Sequence, residues 1–156
     1  MYSLLKKKVN LKQIEEIASI LGKQAVIGDL YLLEGGLGVG KTTFARYFIN
    51  SIYKKNFIKK PKLIKSPTFP IMIGYQLVDF EICHFDLYRL ANKDELVELD
   101  VVENINKNIT VIEWPELILK NFKLNNYFII SLSIIDNSER LIEIRHNKLK
   151  DIINGL

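Results

Sequence analysis

Ile14, Ile17, Ala18 and Leu21 recur at helical spacing, and Asn10 followed three residues later by Gln13 resembles a capping box, so a helix is predicted near the start of the chain. Residues 29–34 (DLYLLE) then read as a short buried strand. From 41 to 53 the helical period returns, with Phe44, Phe48 and Ile52 on one face. A lysine-rich connection leads to Ser66-Pro67-Thr68-Phe69-Pro70, which two prolines exclude from regular helix and which reads as an ordered loop. Residues 71–75 and 80–85 read as strands, the second ending at Asp86, and 92–99 as a short surface helix. Residues 109–112 form another buried strand, ending at Glu113. Residues 127–134 and 140–145 alternate about a turn at Asp136-Asn137-Ser138, the pattern of an antiparallel pair. The predicted class is α/β: a mixed sheet with helices on both faces and an antiparallel C-terminal strand pair.

The run between the first strand and the second helix carries the chemistry. Gly35-Gly36-Leu37-Gly38-Val39-Gly40-Lys41-Thr42 fits G-x-x-x-x-G-K-[ST], and strand, loop and helix arrive in the order a P-loop requires. Glycines let successive backbone N–H groups of Gly36, Leu37, Gly38, Val39 and Gly40 turn inward toward phosphate oxygens, and the helix start adds free donors and a positive dipole end. Lys41 supplies a mobile charge for the β- and γ-phosphates, and the Thr42 hydroxyl is placed to ligate Mg²⁺, a cation that takes hard oxygen ligands. Hydrolysis also needs carboxylates at the carboxyl ends of neighbouring strands. Asp86, ending CHFD, and Glu113, ending TVIE, are the two candidates. Either alone could instead be a helix cap or a surface carboxylate, the lesser reading; two apolar runs that both stop at an acid are harder to dismiss.

Length and composition narrow the setting. At 156 residues, 1–156 is expected to be a single domain without room for a separate substrate domain. A hydrophobic fraction of 48% and a charged fraction of 26% are ordinary for a globular protein and exclude disorder of the whole. The longest apolar stretch, residues 127–135, contains serines and falls short of the ~20 residues that span a bilayer. The amino terminus places its lysines after its few apolar residues, the reverse of a secretory signal, and Cys83 is the single cysteine. A cytosolic protein with no membrane partner is expected, Cys83 being a small buried strand residue. The net charge of +4 admits nucleic-acid contact through the lysines at 54–65, but only four arginines (Arg46, Arg89, Arg140, Arg145) accompany a chain-wide excess of lysine. That bias favours a solvated loop over an RNA-binding patch.

The segments GGLGVGKTTF, SPTF (66–69), HFDLYRL (84–90) and VIEWPE (111–116) stand in the order and spacing of the TsaE family, also called YjeE, which this chain resembles over nearly its whole length. The resemblance implies a P-loop ATPase that acts with TsaB and TsaD in making threonylcarbamoyladenosine at tRNA position 37, touching tRNA through the complex, with ATP hydrolysis as a turnover step. Carried over by position, Lys41 and Thr42 match the phosphate and Mg²⁺ residues, Thr43 the second hydroxyl, Glu113 the acid of EWPE and Asp86 the acid of HFDLYR. Asp86, Glu113 and Lys41 become the expected catalytic groups, and Thr42 with Glu113 the expected metal ligands. Thr68 looks like a γ-phosphate-sensing switch residue, with turn chemistry beside Pro67 as the alternative. Trp114 lies against nucleotide or partner, or packs in the core. Arg89 either stabilises developing charge or pairs with Asp94 or Glu95. The chain departs from the family pattern at Gly36, commonly acidic, and at Asp100, commonly glycine, where a left-handed turn suits Asp less well.

Two rivals share the loop. A GTPase would read guanine through N-K-x-D, but Asn92-Lys93-Asp94-Glu95 has the wrong acid in the wrong place, and Arg89 stands where the D-x-x-G switch needs glycine. A small-molecule kinase usually brings an arginine-bearing lid, for which one arginine near the motifs is thin provision. A nucleotide-ordered scaffold without turnover is the alternative from another class, and the two carboxylates argue against it.

Overall fold

The computed structural model describes residues 1–148. Its elements run β1 (Tyr2–Val9), α1 (Leu11–Gln24), β2 (Leu30–Glu34), α2 (Lys41–Lys55), β3 (Met72–Gln76), β4 (Glu81–Asp86), α3 (Lys93–Glu98), α4 (Val101–Lys107), β5 (Ile109–Glu113), α5 (Glu116–Asn121), β6 (Tyr127–Ile134) and β7 (Arg140–His146). One mixed sheet takes all seven strands in the order β1-β7-β6-β2-β5-β4-β3. β2 lies parallel to both β5 and β6, and β4 parallel to β5, while β3, β7 and β1 pair antiparallel.

The alternation of β2 explains the layers. Tyr31 and Leu33 face α1 and α2, packing with Ile17, Leu21, Phe44, Phe48 and Ile52. Leu30 and Leu32 face the other way, toward Leu96 of α3, Val101 and Ile105 of α4 and Ile118 of α5. A strand covered on both faces reads as an unbroken apolar run, which is how residues 30–33 look in sequence. Tyr31 sits between Phe48, ring centroids 4.4 Å apart, and Phe128, stacked at 4.8 Å. α1 and α2 approach closely because Gly22 has no side chain: a Cβ there would run into Ser51 Oγ and the Phe48 carbonyl.

The predicted elements occur, with ends shifted by a residue or two, and the Asn10–Gln13 capping box is formed in both directions at 3.0 and 2.9 Å. Three elements were not predicted. β1 is an edge strand whose Lys6, Lys7 and Lys8 suppress its apolar signal; it exists because β7 pairs with it, and edge lysines discourage pairing with further chains. α4 and α5 have seven and six residues, too few for a helical period to declare itself. The C-terminal pair is antiparallel as expected, but β6 also joins β2 near the middle of the sheet. Arg89 does not make the expected ion pair with Asp94 or Glu95; its guanidinium lies over the exposed Phe69 ring, 4.0 Å from the centroid. Asn92, in the false guanine motif, caps α3 by accepting from the Glu95 amide at 3.1 Å. No described helix is long and apolar enough to cross a membrane.

Candidate functional site

Register brings the site together. In the parallel ladders Leu33 lies opposite Glu113 and Glu113 opposite Asp86, so the carboxyl ends of β2, β5 and β4 put the P-loop and both acids in one row. This is the crevice in which open α/β sheets bind ligands.

The loop is shaped at two glycines. Gly35 has φ 135°, and a Cβ on it would strike the Leu132 carbonyl. Gly40, at φ 115°, is the N-cap of α2, and no side chain caps that helix. The first amides of α2 therefore lack the side-chain acceptor most helices provide, and they face a cavity of ≈ 340 Å³ lined from the loop by residues 37–43 and from across it by Ser66, Thr68, Asp86, Glu113 and Trp114. Leu37 is exposed at the loop tip, Val39 is buried beneath it, and Gly38, at φ 73°, stands between them. A second cavity of ≈ 230 Å³ opens on the other side of the loop, between Gly38–Gly40 and Thr43, the start of α1 at Leu11 and Ile14, and the β6–β7 turn at Asn137, Ser138 and Arg140.

Lys41 is folded back on the loop. Its Nζ donates to the carbonyls of Gly35 at 2.6 Å and Gly36 at 2.8 Å and lies 3.7 Å from the centroid of the Trp114 ring. Burial pushes the Lys41 ammonium below lysine's ordinary value, while Glu113, Asp86 and Glu116 pull it back up. Trp114 holds φ 59°, a left-handed conformation rare for a bulky residue, and Tyr88 packs on it at 4.7 Å. Trp114 is half-buried and lines the cavity rather than packing in the core.

The acids are held by different partners. Glu113 Oε2 accepts from Thr42 Oγ1 at 3.0 Å, and Oε1 meets His84 Nε2 at 2.9 Å. A carboxylate only accepts, so Nε2 carries the proton, and the buried His84 Nδ1 is left without a partner. Asp86 Oδ2 accepts from Thr68 Oγ1 at 3.0 Å, and Oδ1 from the Tyr88 amide at 3.1 Å. Ser66 Oγ adds a 2.8 Å hydrogen bond to Thr68 Oγ1. Sequence reasoning missed His84 and Ser66. His84 had a signal, its place two residues before Asp86 on one strand and so on the same face.

No group of three or more His, Cys, Asp or Glu side chains forms a metal cage among the described residues. The oxygens of Thr42 and Glu113 fit Mg²⁺ better than such a cage would, since that ion accepts one or two protein oxygens and fills its shell with phosphate and water.

A family model described as "Threonylcarbamoyl adenosine biosynthesis protein TsaE" matches residues 9–142. This chain belongs to the TsaE family. A protein named tRNA threonylcarbamoyladenosine biosynthesis protein TsaE from Rickettsia typhi is 36% identical over 134 residues, covering 86% of this chain and 89% of the relative. A TsaE from Aquifex aeolicus is 32% identical, covering 85% and 86% of the two chains. The crystal structure of Bacillus subtilis YdiB superposes with a TM-score of 0.68 at 25% identity, over 90% of this chain and 83% of that one. Family membership and the mixed α/β sheet with its P-loop are those of a nucleotide-binding fold; the relatives are named for tRNA threonylcarbamoyladenosine biosynthesis.

Proposed function

We propose that this chain works as one P-loop domain that binds ATP with Mg²⁺ and hydrolyses it, as the turnover component of cytoplasmic tRNA N6-threonylcarbamoyladenosine synthesis together with TsaB and TsaD. The observation that carries the reading is the convergence of an uncapped α2 start, Lys41, Thr42, Glu113 and Asp86 on one cavity.

The loop amides and the first turn of α2 bind the phosphates, and Lys41 exchanges its two loop carbonyls for β- and γ-phosphate oxygens. The second cavity, beyond Gly38–Gly40, receives the base and sugar, because a nucleotide held at the loop extends past Thr43 toward α1 and Arg140. Thr42 and Glu113 would hold Mg²⁺, and the ion would supply positive charge against the β- and γ-phosphates. His84 fixes the Glu113 carboxylate by holding Oε1. Asp86 orients the attacking water; its oxygen bonds to the γ-phosphorus, the bond to the β–γ bridging oxygen breaks, and ADP and phosphate leave with the water's proton released to solvent or phosphate. Thr68 and Ser66 couple that acid to the SPTF loop, so the γ-phosphate changes the loop's position. ATPase activity of the chain alone and with purified TsaB and TsaD tests the reading. Hydrolysis accelerated by the partners is the expected result; no turnover in any combination would leave a scaffold, and consumption only with an acceptor molecule would make it a kinase.

A further inference from the structure

The end of α2 farthest from the P-loop carries a feature that nucleotide chemistry does not use. There the chain turns through Phe57, whose φ of 56° is left-handed and whose ring is 98% exposed. Glycine or asparagine ordinarily takes this place after a helix, because a Cβ is strained there. Phe57 gains no burial in exchange. Lys54, Lys55, Lys59 and Lys60 flank it along the chain, all exposed, with Lys55 Nζ 3.5 Å from the Ala25 carbonyl at the end of α1. Beside it, Lys23 of α1 joins Lys54 and Lys60 in lining an open cavity of ≈ 500 Å³ between the two helices, with Glu15 the one acid on its wall. None of these five lysines forms an ion pair among the described residues. α2 has fifteen residues, so this surface stands some ~20 Å from Lys41.

We propose that this surface binds a single-stranded or looped RNA segment, Phe57 stacking on a base while the lysines contact the flanking phosphates. Lysine excess alone favours a solvated loop, and unpaired lysines alone suit any acidic partner. The bare ring decides between them: every base offers a π face to stack on, whereas the carboxylates of an acidic protein gain nothing from an exposed phenyl. Lysine stands in for arginine here because the chain uses lysine almost throughout. The inference is independent of ATP hydrolysis.

The test is fluorescence anisotropy of the full chain with labelled oligouridylate and with an unmodified tRNA transcript, across a salt series. Phe57→Gly should weaken oligouridylate binding by about tenfold, the scale of one lost base stack, while its melting temperature stays level or rises as strain is relieved. Lys54→Gln with Lys60→Gln should weaken both ligands and flatten the log–log salt slope by roughly 1.4, two lost phosphate contacts. ATPase activity should be unchanged in all variants. Failure of the native chain to bind either RNA, or unaltered affinity in Phe57→Gly, overturns the proposal. Equal displacement of oligouridylate by polyglutamate of matched charge also overturns it, making the surface a dock for an acidic protein.

Discussion

Glu113 has its two oxygens committed to different neighbours, Thr42 on one side and His84 on the other, and the divided commitment predicts separable defects. Removing the hydroxyl in Thr42→Ala should impair Mg²⁺-dependent hydrolysis far more than Mg²⁺-free nucleotide binding. Replacing His84 with Leu frees Glu113 Oε1 to rotate, so the Mg²⁺ concentration that half-saturates nucleotide binding should rise about 10-fold or more, the usual scale for an outer-shell partner. Gln at the same place can still donate and should recover most of the loss; a magnesium titration of nucleotide affinity reads both, and indifference to His84→Leu would remove it from the site. Lys41→Ala should abolish useful ATP binding by calorimetry, since the phosphates lose their one mobile cation within the loop. Lys41, Thr42, Asp86 and Glu113 were legible in sequence because a motif or a strand end announces them. His84 was legible only through its place two residues before Asp86, since a lone histidine in an apolar strand otherwise reads as core, and neither the left-handed backbone of Trp114 nor its contact with Lys41 leaves a trace in residue order.

Elements were legible where a period had room to repeat and illegible where a neighbour decides. α1 and α2, of fourteen and fifteen residues, declared themselves, whereas β1 depends on β7 for its existence and α4 and α5 on the sheet face they cover. The entry to α4 is a case where a family departure has a visible consequence. Asp100 sits at φ 49°, ψ 32°, the left-handed conformation that glycine takes without strain, and its side chain makes no capping bond to α4. Asp100→Gly should therefore be neutral or stabilising, while Asp100→Ala should cost about 1 kcal/mol, both read from denaturant midpoints. The opposite order would mean that Asp100 contributes a favourable interaction beyond its backbone. On β4, burial pushes the Cys83 thiol up to about 11, with Glu81 adding to the rise, so the thiolate is scarce at neutral pH. Native protein should resist iodoacetamide at pH 7.5 and react on unfolding.

At the scale of the molecule, the two acids tie different segments to one cavity. Glu113 belongs to the P-loop side through Thr42; Asp86 ties together the SPTF loop through Thr68 and the HFDLYR loop through the Tyr88 amide. Those loops carry exposed Phe69 and Tyr88 at the mouth of the crevice, where a partner would meet them. A γ-phosphate that draws Thr68 from Asp86 would shift both surfaces together. ATP and partner binding must then be coupled, and by linkage each tightens the other by the same factor, about 5- to 150-fold for couplings of this kind. Titrating the chain against a TsaB–TsaD complex with a non-hydrolysable ATP analogue, with ADP and without nucleotide should give three affinities, tightest with the analogue. Three equal affinities would dispose of the switch. In Thr68→Ala the ranking should collapse toward the ADP value while nucleotide affinity for the isolated chain changes little, because the P-loop, Lys41 and Thr42 remain intact. A Thr68→Ala chain that still separates the three states would move the coupling elsewhere, with Arg89 on Phe69 the next contact to break.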